Sequence, residues 1–143
     1  GFQSYMVAQE FDNQMYIPTM HNKRKFEDQI ENLNHLPHSS WVDWMEMVSN
    51  FKYAIHLMPT IAAGTFSLNC AYFGIPCIGN EKVDTQRLCY PELSVDVEDI
   101  EKARKLAIQL KSDEDFYKQC SDNAKSNYIK HFHISKFKEK FTW

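Results

Sequence analysis

The stretch Met58-Pro59-Thr60-Ile61-Ala62-Ala63-Gly64-Thr65-Phe66-Ser67-Leu68-Asn69-Cys70 holds the residue types and spacing best suited to chemistry. Small residues follow an apolar run and open a stretch of helical character. Free backbone N–H groups at a helix start, together with the helix dipole, make a site for an anion. Gly64 would let a phosphate approach the backbone, with Phe66 beside it, and the hydroxyls of Thr65 and Ser67 would add donors. The same residues also describe an ordinary capped helix, because Thr and Ser cap helices everywhere. If the loop binds phosphate, a bulky residue at Gly64 should remove binding and leave the fold intact. Downstream, Arg87 offers a fork of donors that suits a phosphate, and it reads equally as a surface cation.

Other chemistry is thinner. His35 and His38 lie close together, but no third ligand and no zinc-type spacing accompanies them, so no metal is expected. Cys70, Cys77, Cys89 and Cys120 form no C-x-x-C pair; Cys70 and Cys77 sit in apolar segments and read as small buried hydrophobes. A reduced, cytoplasmic setting suits them. The cations Lys23, Arg24 and Lys25 read as a solvated helix face. Net charge is −3 and the pI about 6.1, which provides no general basic field for nucleic acid. No apolar run is long enough to cross a membrane, and no signal peptide is apparent.

The elements that must position this loop follow from periodicity. Tyr5–Ala8 and Met15–Pro18 read as extended, Pro18 discouraging helix at Ile17. A helix is expected from Lys23 to Asn32, then a short strand from Leu33 to Leu36. Ser40 is an N-cap, with Asp43 at the third helical position, and Trp41, Trp44, Met45 and Val48 form one stripe. Tyr53–Met58 is a strand stopped by Pro59. The helix from Thr65 to Phe73 ends at Gly74, and Ile75–Ile78 is a buried strand closed by Gly79. A helical turn over 84–90, a brief strand at Leu93–Val95, and helices from Asp99, from Asp113 to Lys130 and from Ser135 complete the pattern. Strands alternating with helices call for a Rossmann-like α/β/α domain with a mainly parallel sheet. With 43% hydrophobic and 24% charged residues, all of 1–143 reads as this single domain.

The run from Asn69 through Gly74-Ile75-Pro76-Cys77-Ile78 is similar to the GT-B glycosyltransferase signature, in which an acidic residue precedes a small-residue helix and then G-x-P-V-I. Ser40–Met58 resembles that family's amphipathic helix and following strand. Pro91–Ile100 resembles the strand and Asp-initiated helix beyond its donor loop, and Phe116–Phe137 its closing helices. These segments spread the resemblance over the chain from Ser40 onward; before it, only the order of elements is similar.

The resemblance implies the C-terminal, donor-binding half of a two-domain enzyme. Its ligand would be a nucleotide-diphosphate sugar, taken as substrate and without a further cofactor. Gly64, Thr65, Phe66, Ser67 and Arg87 would hold the diphosphate, Asn69 the ribose, and the backbone around Leu36 the base. The family's acidic E-x7-E pair falls on Ile61 and Asn69 here: Asn69 can still accept a hydrogen bond, Ile61 cannot. No catalytic residue is nominated, because the acceptor and any general base belong to the other domain. Gly1 in place of an initiating Met suggests a longer native chain, with the N-terminal half supplied in cis or in trans. Two further classes stay open: a sugar-nucleotide epimerase, and a non-catalytic binding or assembly domain that kept the fold after losing the acids. The tail, with Phe132, Phe137, Phe141 and Trp143, suggests either self-association, as in a homodimer, or a poorly ordered end, with packing as a last core helix the alternative.

Overall fold

The computed structural model describes residues 2–11, 14–18, 27, 29–59 and 64–133. Two parallel sheets form its centre. β1 (Met15–Pro18) pairs with β2 (Leu33–Leu36) in one sheet. β3 (Ala54–His56), β4 (Cys77–Asn80) and β5 (Ser94–Val95) form the other, in that order. The helices are α1 (Phe2–Ala8), α2 (Trp41–Val48), α3 (Thr65–Phe73), α4 (Asp84–Cys89), α5 (Ile100–Ser112) and α6 (Glu114–Phe132). The architecture is that of a small Rossmann-like α/β domain. The one sheet expected from the sequence is divided in two.

Local signals account for most elements. Ser40 caps α2 by accepting from the Asp43 N–H at 3.2 Å, and Asp99 and Asp113 do the same for α5 and α6. Gly74 ends α3 in the left-handed region (φ 70°). Its N–H reaches Ala71 O and the Ile75 N–H reaches Cys70 O, which satisfies the last carbonyls of the helix. Along α5, Ala103, Ala107 and Leu110 turn one face into the core, and the two alanines let that helix lie close to its neighbours. Cys120 and Ala124 do likewise for α6. Ile78, Tyr90, Leu93 and Val95 complete the interior.

The first element departs from expectation: Tyr5–Ala8 belongs to a helix. A run of four apolar residues suits either period. Helical spacing carries Ser4, Val7, Ala8 and Phe11 to one side, where Val7 is fully buried, and that burial decides the matter. The stripe on α2 is also narrower than expected, since Val48 is buried while Trp41 is 67% exposed. Phe132 ends α6 packed against the core. Of the helix expected over Lys23–Asn32, residues 23–26 and 28 lie outside the described residues, and residues 30–32 form a bend and a turn instead, with Asn32 in the left-handed region (φ 63°). The helix expected from Ser135 and the aromatic end beyond it also lie outside the described residues.

Candidate functional site

The start of α3 lies just beyond the C-terminal end of β3, where ligands of open α/β sheets bind. Gly64 is its N-cap residue in the left-handed conformation (φ 76°, ψ 20°), and the Gly64 carbonyl accepts the Leu68 N–H at 3.2 Å. That carbonyl also accepts the Thr85 hydroxyl at 2.9 Å. A Cβ at Gly64 would run into Thr85 Oγ1 and come within 2.8 Å of Val83 Cγ1. Glycine is therefore required here by backbone conformation and by close packing against the start of α4. A bulky residue at this position cannot leave the fold untouched, which corrects the expectation drawn from sequence.

The other nominated residues divide by exposure. Thr65 is exposed in the first turn of α3. Phe66 is half-buried, its ring 5.5 Å from His56 and 6.4 Å from Trp44. Ser67 faces inward and is fully buried; its hydroxyl donates to Gln86 Oε1 at 2.8 Å, and Gln86 Nε2 donates to Cys77 O at 2.8 Å. The Ser67 hydroxyl is thus engaged in a structural bridge between α3, α4 and β4. Asn69 is half-buried. Arg87 is exposed and pairs through Nη2 with Asp84 Oδ1 at 2.7 Å, with Nη1 3.3 Å from Glu81 O. Ile61 and Lys23–Lys25 lie outside the described residues.

Between the two sheets lies a mainly apolar cavity of about 740 Å³. Leu36, His56, Met58 and Phe66 line it where β2 and β3 end, so two of the nominated residues, Leu36 and Phe66, share its wall. Burial lowers the His56 pKa, which keeps its ring neutral at neutral pH. Deeper along the wall is a polar cluster that sequence reasoning missed. The Glu27 carboxylate, itself buried, accepts from the Tyr5 hydroxyl at 2.9 Å and lies 3.1 Å from His35 Nε2. Glu27 carries no local signal: Tyr5 reaches it from α1 and His35 from β2, and only His35 stands out in the sequence.

Among the described residues, no group of three His, Cys, Asp or Glu side chains could hold a metal ion. No described helix is long and apolar enough to cross a membrane. All four cysteines are buried and free. Burial and nearby Cys77 push the Cys89 thiol up to about 11, while burial and Glu92 push Cys120 up to about 12. These thiols are therefore poor nucleophiles. No family model, curated protein or solved structure matches the chain.

Proposed function

We propose that the chain is the donor-binding half of a GT-B-type glycosyltransferase, holding a nucleotide-diphosphate sugar against the first turn of α3. The observation that carries the proposal is the relation of α3 to its sheet. A helix starts just beyond β3 in a parallel sheet, at the end where such sheets take ligands, and exposes Thr65 in its first turn. The resemblance of residues from Ser40 onward supplies the ligand class.

In this proposal the leaving group is a nucleoside diphosphate. Positive potential at the α3 start stabilises the charge that grows on it as the sugar departs. Thr65 adds a hydroxyl donor. Arg87 is available to the diphosphate because its pairing with Asp84 is solvent-exposed and weak, so exchanging one anion for another costs little. Phe66 borders the diphosphate beside Thr65, Leu36 the base, and Asn69 accepts from the ribose. Acceptor and general base come from a second domain, in cis or in trans. The chain alone binds donor weakly and transfers nothing.

Titration calorimetry with uridine diphosphate, guanosine diphosphate and pyrophosphate tests this. We expect Arg87→Ala to weaken all three by about tenfold, as loss of one charge-assisted contact does. Asn69→Ala should weaken the nucleotides more than pyrophosphate. No heat with any of the three would refute donor binding. A second reading, a non-catalytic assembly domain, draws on two observations: Asn69 stands where the family has an acid, and the Ser67 hydroxyl is committed to Gln86.

A further inference from the structure

The division of the sheet has a specific geometry. In β3, the Ala54 N–H donates to Pro76 O beside β4 at 3.0 Å. Backbone groups alternate sides along a strand, so the Ile55 N–H and C=O point away from β4. In β1, the Met15 N–H donates to Asn32 O beside β2 at 2.7 Å, so the Tyr16 N–H and C=O point away from β2. Among the described residues, no strand pairs with either of these outer edges. Both edges line the same cavity: Met15, Tyr16 and Ile17 on one wall, Ala54, Ile55 and His56 on the other. Two strands, each the outer member of a parallel sheet, therefore present unpaired edges to one shared apolar space.

The position of α1 says where an occupant would come from. Ser4 Oγ, in the first turn of α1, accepts the Leu57 N–H at 3.0 Å, just past the C-terminal end of β3. Phe11, after α1, stacks on Tyr53 at 4.1 Å, just before the N-terminal end of β3. α1 thus runs antiparallel to β3 and returns the chain to the level at which β1 begins. That is the path of a crossover helix between two parallel strands, and its first strand would end beside Ser4.

We infer that the cavity between β1 and β3 is the seat of a further parallel strand, delivered by polypeptide directly ahead of α1, which joins the two sheets into one. The order becomes β2-β1-new strand-β3-β4-β5. Numbered along the chain with the new strand first, this is 3-2-1-4-5-6, the order of doubly wound dinucleotide-binding folds. The strand is apolar on both faces, because a central parallel strand is covered by helices on each side. It accepts from the Tyr16 and Ile55 amides. This inference does not depend on the proposed donor site.

The test compares two forms of the full chain, each extended ahead of Gly1. One carries a short Val/Ile run followed by a Gly-Ser turn. The other carries a run of the same length with prolines at alternate positions. Amide exchange at Tyr16 and Ile55 is measured with thermal midpoint, molar mass and nucleotide affinity on the same samples. The inference expects the Val/Ile form to be monomeric, to melt higher, and to exchange both amides at least about tenfold more slowly than the proline form. Equal exchange in the two forms would overturn it. Protection in the unextended chain only at concentrations where molar mass doubles would assign the seat to a second copy instead. Protection of both amides in the unextended chain by uridine diphosphate would make the cavity a ligand pocket and also overturn it. Failure of nucleotide binding alone leaves the strand standing.

Discussion

Gln86 binds three elements together through one side chain. Its Oε1 accepts from Ser67 on α3, its Nε2 donates to Cys77 in β4, and its own backbone lies in α4. A Cβ on Gly79 would run into the same side chain, so this contact also accounts for the glycine in β4. Gln86→Leu keeps much of the volume but removes an acceptor and a donor from buried partners. We expect it to cost about 2 kcal/mol, within the range for stranding buried polar groups. Urea unfolding measures this, and an unchanged midpoint would show the bridge to be dispensable. The Tyr5–Glu27–His35 cluster is a second case of polar groups satisfied across elements in a mainly apolar setting.

α3 shows how an element's ends can be set for different reasons. Its C-terminal stop at Gly74 is local, written by a left-handed glycine and the two hydrogen bonds that close the helix. Its start at Gly64 is held from outside, by the Thr85 hydroxyl on the Gly64 carbonyl and by Val83, whose side chain fills the space a Cβ there would need. Gly64→Ala should therefore destabilise the protein by more than the roughly 1–2 kcal/mol of a left-handed alanine, because the methyl group also displaces Thr85. Thermal unfolding of Gly64→Ala, alone and combined with Thr85→Gly, separates the two contributions. Relief by the second change identifies the clash, and no loss in the single variant refutes the packing role. Donor binding is consequently better probed through Thr65 and Arg87, which are exposed.

Across the whole molecule, buried ionisable groups shape the pH profile. Burial raises the Glu92 pKa, and one of its oxygens has no hydrogen-bond partner among the described residues. A group whose folded pKa is raised contributes stability below its unfolded pKa and loses it as pH rises through the folded value. Glu92 thus weighs against the fold at neutral pH, and Glu92→Gln should raise the melting temperature there and have little effect at pH 4. The Cys89 and Cys120 thiols follow the same sign at the alkaline end. Their contribution is intact below about pH 9, the ordinary thiol value, and lost on the way to about 11 and about 12. His56 has the opposite sign: its lowered pKa removes stability as pH falls below its ordinary value of 6.5. Melting temperature should therefore fall toward pH 5 by a part that His56→Gln abolishes, and fall again above pH 9. A flat profile would contradict these assignments.

The sequence alone determined the features written within a turn or two of chain. The caps Ser40, Asp99 and Asp113, the stop at Gly74 and the buried face of α5 depend on neighbours three to seven residues away. From Leu33 onward the order of strands and helices, and with it the parallel α/β class, follows from the same short-range periods. Tertiary structure alone decided the rest. The Ser67 hydroxyl, legible as a ligand donor, meets a partner 19 residues away, and Tyr5 meets Glu27 at 22. Tyr5–Ala8 became a helix because α5 and β3 together bury Val7 there, which no local pattern states. The split of the sheet was invisible for the same reason. A strand's own residues specify that it pairs, while which edge it finds depends on every other strand already in place.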